Sequence, residues 1–296
     1  MNIFMKITLE YDIRKDINLI IESEKIDTSE LSSLCNISRT TLIEIKNSNK
    51  TTKSVYEKFY SYVYRKKYRL NSVKEELLKE QHQIVLFHGS KNGLSDIYYN
   101  GSRKNCDFGC GFYLGQTYNQ VLSFVCENEN SSVYSFSFDE KNLNIVKLNC
   151  DLEWMLVVCY YRGTISLYSN NKKIKDILNK IANADVIIAP IADNKMFYIM
   201  SQFTEGEINA DVALHSLAAS KLGYQYVLKT EKAINNLKPI EKYYLCKDEK
   251  EECSNELEKR SYEIDTKLKM AKREFKNGLF IEEIFEWENL IITVYY

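Results

Sequence analysis

The chain has 296 residues, 45% of them hydrophobic and 27% charged, with mean hydropathy −0.37, the make-up of a globular protein of one large domain or two ordinary ones. A formal net charge of −1 excludes a chain built as a whole for nucleic acid, and two prolines exclude Pro-rich linkers. No apolar run approaches the roughly 18 residues of a membrane span, and the start, MNIFMKITLEYDIRKD, lacks a signal pattern, so a cytoplasmic protein is expected. The eight cysteines form no C-x-x-C pair and the three histidines (82, 88, 215) are scattered, so reduced thiols and no metal site are expected.

The first third reads as helical. KDINLIIESEKI carries apolar residues at 17, 19, 20 and 21. Asp27 with Glu30 three residues later gives a capping box ahead of Leu31 and Leu34. Ser38 is a plausible N-cap for a second short helix over 39–47, and a turn near Cys35, Asn36 and Ile37 separates the two, as in a helix-turn-helix unit. One long helix is expected over 54–82. Residues 14–70 hold 12 Lys+Arg against 7 Asp+Glu, a local excess of 12 − 7 = 5.

From 83 the pattern changes to short strands with intervening helices, an α+β arrangement. Strands are expected at IVLFHGS, SSVYSFSFD (131–139), DVIIAPIAD (185–193) and YQYVLKT (224–230), the second alternating between Val133, Ser135, Ser137 and Tyr134, Phe136, Phe138. Helices are expected at YNQVLSFVCENE, EWMLVVCYYRG, IKDILNKIAN, KMFYIMSQFTEGEI and ADVALHSLAASKLG. The charge-rich stretch 248–278 reads as a solvated helix, and the apolar tail LIITVYY as a segment that docks on a sheet edge.

Six of the ten glycines lie between 89 and 115. Glycine lets backbone approach a ligand closely and accepts positive φ, so a ligand-cradling loop and a plain glycine-rich turn are both open. GCGFYLG is GxGxxxG rather than the GxGxxG of dinucleotide folds, and no GK[ST] is present.

VLFHGS followed by FGCGFYLG and then by GYQYVLKT resembles, over about 84–247, the poly(ADP-ribose) polymerase and diphtheria-toxin-like ADP-ribosyltransferases. In that superfamily a strand ending in HGS is followed by a donor loop, an FGxGIYF segment and a late strand bearing a glutamate. The chain is also similar to a bacterial ADP-ribosyltransferase-like family, through DFGCGFYLG, IIAPIADNKMF and YVLKTEKAI; its members are often fused to a helix-turn-helix or encoded beside toxin–antitoxin genes.

The resemblance implies an α+β fold: a split, mixed β-sheet ADP-ribosyltransferase-like core over 83–247, an N-terminal all-α helix-turn-helix domain over 1–82, and a charged C-terminal extension over 248–296. It implies NAD as substrate, no metal, a protein or nucleic-acid acceptor, and an antitoxin as one partner class. Residue by residue, His88 would bond the adenosine ribose and Gly89 would hold the nicotinamide carboxamide through its backbone. Ser90 would lie by the ribose, Tyr113 would stack on nicotinamide, and Phe124 would close the ring from the other side. Asp107, with the 93–106 stretch, would form the donor loop, and Phe108, Gly109 and Gly111 would complete the cradle. Trp154 is expected in the core, Asp193 as a cap at a strand end, and His215 on a helix surface.

Gln225 stands where the superfamily has its glutamate. Its carbonyl still accepts a hydrogen bond, but it carries no charge and is no base at neutral pH. Two expectations stay open: transfer of a single ADP-ribose, or binding of NAD or ADP-ribose without turnover. The N-terminal unit resembles phage-repressor-like helix-turn-helix domains. That likeness implies DNA contacts from Arg39, Thr40, Thr41 and Glu44, with Lys46, Lys50 and Lys53 near phosphates; a helical module that packs on a partner is the alternative.

Overall fold

The computed structural model describes residues 5–218 and 223–286, so the apolar tail LIITVYY lies outside the described residues. In chain order the elements are β1 (Met5–Lys6), α1 (Ile13–Glu24), α2 (Thr28–Cys35), α3 (Arg39–Ser48), α4 (Lys53–Arg65), α5 (Leu70–Gln81), β2 (Val85–Ser90), β3 (Asp96–Ile97), β4 (Phe112–Gly115), α6 (Tyr118–Leu122), β5 (Ser132–Phe138) and β6 (Ile145–Lys147). There follow α7 (Leu152–Arg162), α8 (Lys172–Ile181), β7 (Val186–Pro190), α9 (Asn194–Thr204), α10 (Ala210–Ala218), β8 (Tyr224–Leu228), α11 (Glu231–Asn235), β9 (Leu237–Tyr244) and α12 (Lys247–Glu274). No helix among the described residues is long and apolar enough to cross a membrane.

Local chemistry sets the helix ends as the sequence implies. Asp27 accepts from the backbone N–H of Ser29 and Glu30, and Glu30 accepts from the Asp27 N–H, closing the capping box. Asn36 adopts φ 52° and ends α2, and Ser38 caps α3 through the Thr41 N–H. The long helix expected over 54–82 is in fact two. Lys67 (φ 58°) and Arg69 (φ 45°) are left-handed, which breaks the helix between α4 and α5. The break lets the chain pass from one core to another, with Leu70 at the start of α5 still in the first. Phe59, Tyr60 and Val63 of α4 pack with α1–α3, whereas Leu78 of α5 packs beneath β2 with Val85 and Phe87.

A seven-stranded mixed sheet, in the order β6-β7-β8-β4-β2-β5-β9, forms the centre of this α+β fold. Only β6 and β7 are parallel. Three of these strands, β4, β6 and β9, carry no strong pattern and are added by the sheet itself. One face of the β6-β7-β8-β4 half is covered by α7–α10 and α12, whose buried residues include Trp154, Met196, Phe203 and Leu268. The opposite face carries Leu86, Phe112, Phe136, Ile188 and Tyr226. β5 is buried on both faces, so its alternation of Ser and aromatic residues does not mark a solvent side. The charge-rich helix α12 is likewise not solvated all round: Ile264, Leu268 and Ala271 form a buried stripe. The helix expected from Tyr118 stops at Leu122, and turns follow it.

The helical N-terminal residues and the sheet are joined by charge. Lys74 of α5 is 4% exposed and pairs with Asp16 of α1 at 3.1 Å and Glu241 of β9 at 2.6 Å, while the Tyr60 hydroxyl donates to Asp16 at 2.6 Å. Burial alone would lower the Lys74 ammonium; Asp16 and Glu241 together hold it above its ordinary value. Replacing Lys74 by Met leaves two buried carboxylates facing each other. The expected loss is about 3–5 kcal/mol, read as a lower urea midpoint, with Lys74→Arg losing less.

Candidate functional site

The ladder between β2 and β4 consists of a single pair, Phe87 opposite Gly115. On its other side β2 pairs with β5 along its whole length, and β4 pairs fully with β8. The sheet is therefore two half-sheets hinged at one point. Beyond Phe87, a side chain takes the place of the missing ladder: His88 Nδ1 lies 2.8 Å from the Tyr113 carbonyl oxygen. A carbonyl only accepts, so Nδ1 carries the proton and the neutral ring keeps Nε2 as an acceptor. Burial lowers the His88 pKa against the opposing pull of that carbonyl, which favours this neutral form. Phe112 stacks on the imidazole at 4.5 Å between centroids and fixes its plane.

The glycine loop before β4 is closed on itself. The Tyr113 hydroxyl donates to the Gly109 carbonyl at 2.7 Å and accepts from the Phe108 N–H at 3.1 Å. Lys229, just past β8, donates to the carbonyls of Phe108 (2.6 Å) and Cys110 (2.5 Å), and the Ser102 hydroxyl accepts from the Gly111 N–H. Burial lowers the Lys229 pKa. Gly109 adopts φ 70°, with a would-be Cβ 2.9 Å from the Tyr161 ring; at Gly111 a Cβ would sit 2.5 Å from Val227. A Cβ on Gly89 would meet the Val121 carbonyl at 2.8 Å. The protein's own atoms thus demand glycine at all three positions.

Behind the loop lies a buried polar chain. Asp107, 6% exposed, accepts from Arg162 Nε (2.8 Å) and Nη2 (2.5 Å) on Oδ1, and from Gln225 Nε2 (2.9 Å) on Oδ2. Gln225 Nε2 donates its second hydrogen to the Pro190 carbonyl at 3.1 Å. Both neighbours are acceptors, so the amide orientation is forced and Oε1 is the end left to accept. Arg162 also donates to the Ala192 carbonyl and lies over the Phe197 ring at 4.4 Å. Gln225 sits opposite Gly115 of β4 and Ala189 of β7.

The residues singled out from the sequence fall into groups. His88, Gly89, Tyr113 and Gln225 lie on the three strands that meet at the hinge, with Tyr113 and Gln225 on one sheet face and His88 on the other. Asp107 lies behind Gln225, with its carboxylate oxygens taken up by Arg162 and Gln225, and Phe108 is fully buried core. Ser90 Oγ donates to the Gly93 carbonyl at 2.5 Å. Phe124 is 48% exposed just after α6. Trp154 is buried and donates to Pro190, Asp193 caps α9, and the exposed His215 stacks on Phe275. Arg39, Thr40, Glu44 and Lys50 are exposed on or just beyond α3, and Thr41 is half-buried. Lys46 is held by the Thr28 hydroxyl, and Lys53 pairs with Glu129. Arg162, Lys229 and Ser102 were not singled out; the only hint was that two of them follow apolar runs, in CYYRG and YVLKT.

Among the described residues no group of His, Cys, Asp or Glu is arranged to hold a metal. A hinged α+β sheet with a histidine bridging its seam is the class this geometry defines. The family described as a protein of unknown function, DUF3990, matches residues 84–238, which is 155 of the 296, and the chain belongs to it. No curated protein and no solved structure matches the chain.

The surroundings of Gln225 decide its identity. A glutamate there would bring a carboxylate against Asp107 and the Pro190 carbonyl, and would have to take up a proton to fit. Its folded-state pKa would be raised, so the penalty grows as pH climbs above about 4.3, the ordinary glutamate value. Gln225→Glu is expected to cost about 1–3 kcal/mol at pH 7. Urea unfolding at pH 7 and pH 5 should show the gap from the parent protein narrowing at the lower pH.

Proposed function

We propose that this protein transfers ADP-ribose from NAD to a macromolecular acceptor. The observation that carries the reading is His88 at the seam of the hinged sheet, its Nδ1–H committed to Tyr113 and its Nε2 free to accept from a ribose hydroxyl. The order HGS, FGCGFYLG, YQYVLKT resembles the ADP-ribosyltransferases and supplies the matching strands β2, β4 and β8, which lie side by side in the order β8-β4-β2. In the reaction the bond between ribose C1′ and the nicotinamide nitrogen breaks, and nicotinamide leaves with the electron pair. The acceptor's nucleophile bonds to C1′ and gives up its proton to solvent or to its own neighbour.

Charge builds on the ribose as the bond breaks, as in glycoside hydrolysis. Gln225, on the sheet face opposite His88, carries an amide and adds no negative charge, and Asp107 behind it is offset by Arg162. The site therefore lacks a base for chain elongation, and one ADP-ribose per acceptor group is the product. The same neutrality favours a second reading, a module that binds NAD or ADP-ribose without turnover and relays its state to the helical unit. In either case α3 and the residues just beyond it present Arg39, Thr40 and Lys50 outward, as the second helix of a DNA-contacting pair would.

Nicotinamide release from labelled NAD, measured with and without cell lysate or nucleic acid, tests the reaction. Release that requires an acceptor and falls at least a hundredfold in His88→Ala is expected, with label on a single product band rather than a ladder. Saturable NAD binding with no release under any condition would replace the transferase by the sensor. For the helical unit, anisotropy with mixed-sequence duplex DNA should weaken in Arg39→Ala/Lys50→Ala and with added salt; absence of binding at low salt would leave it a packing module.

A further inference from the structure

A cavity of about 330 Å³ lies away from the seam, between α4, α5, α6 and the first turns of α12. Its wall holds Glu249, which is 7% exposed. Both hydrogen bonds to this carboxyl, from the Tyr118 hydroxyl (2.9 Å) and Asn71 Nδ2 (3.0 Å), are accepted by Oε1. Oε2 is given no protein donor among the described residues. Tyr60, Tyr64 and Tyr118 line the same space, with their hydroxyls committed to Asp16, Glu252 and Glu249.

The charges around the carboxyl offset it only in part, since both lysines that act on it are engaged elsewhere. From α5, Lys74 faces it but is paired with Asp16 and Glu241. From α12, Lys250 is bonded to the carbonyls of Asn128 and Glu129. Glu252 and Glu256 on the wall are matched in number by Arg69 and Arg260, which leaves Glu249 as the unbalanced group. Cys246 and Cys253 also line the space, and burial pushes both thiols up to about 12, so they stay neutral.

We propose that this cavity is a binding site for a small organic cation, a primary ammonium that seats on Glu249 Oε2 beside these tyrosines. A buried carboxylate oxygen with no donor, on a wall shared with tyrosines, is the complement of an ammonium head. The volume admits a short chain behind it. Burial pushes Glu249 up to about 7, against the pull of Asn71 and Tyr118, so the empty site is largely protonated below neutrality and the arriving cation expels the proton. The site stands apart from NAD chemistry but shares a wall with it: α6 lines the cavity through Tyr118 and Leu122, and its Val121 carbonyl backs Gly89.

Isothermal titration of the full chain with methylammonium and with putrescine, at pH 6 and pH 8, tests the proposal. Saturable binding is expected, about tenfold tighter at pH 8, because the ionised fraction of a group near 7 rises about that much between the two. At pH 6 close to one proton should be released per amine bound, read from heats in buffers of different ionisation enthalpy. Glu249→Gln keeps the size and the Oε1 acceptor; it should abolish the proton release and weaken binding at pH 8 at least tenfold. Leu257→Trp, two turns further along α12 on the same lining, fills the cavity and should block binding while cooperative unfolding is retained, which holds the test open if Glu249→Gln does not fold. Absence of saturable binding by both amines, binding without proton release at pH 6, or binding unchanged in either folded variant would overturn it.

Discussion

A single buried carboxylate, Asp107, organises the candidate site. It takes a two-pronged bond from Arg162 at the end of α7 and a third from Gln225 on β8, so three distant stretches of chain meet on two oxygen atoms. Such a group is tolerated in the interior only because every bond is charge-assisted or well aimed. The consequence reaches further than local stability. The carboxylate consumes one hydrogen of the Gln225 amide and the Pro190 carbonyl consumes the other, which dictates an amide at that position and points its oxygen the remaining way. An amide at position 225 is thus a requirement of this interior.

Most of the architecture could be read where one physical signal dominated. The capping box at Asp27 and Glu30 and the cap at Ser38 locate α2 and α3 because side-chain oxygens there meet otherwise orphaned N–H groups. The apolar runs of β2, β5, β7 and β8 were visible because buried strands need them. β4, β6 and β9 were not, since each is short or carries charged residues and exists because a neighbour supplies its ladder. The break at Lys67 and Arg69 left no glycine or proline in the sequence, because tertiary packing of the two halves against different cores pays the conformational cost.

The site was legible in its pattern and opaque in its wiring. HGS and FGCGFYLG drew attention to His88, Gly89 and Tyr113, which do meet at the hinge. The glycines stand out as those of a ligand cradle would, and at 89, 109 and 111 the nearest atoms that exclude a Cβ belong to Val121, Tyr161 and Val227. A glycine that yields to a ligand and one that yields to a tyrosine look alike in one dimension. Arg162, Lys229 and Ser102 gave no signal because their partners are backbone carbonyls, a backbone N–H and a carboxylate many residues away in the chain.

The residues on either side of the family-matched stretch belong to one another more than their separation in the chain suggests. The match ends at 238, just short of the run Pro239–Tyr244 by which β9 covers most of β5. Tyr244 in turn stacks with Tyr56 and Tyr60 from α4, and Tyr11 bridges to Lys242. An isolated 84–238 piece would therefore end with β5 as a bare edge, the kind of surface that recruits strands from other molecules. The flanking segments act as the closure of the sheet, and the natural unit of folding is larger than the unit of homology.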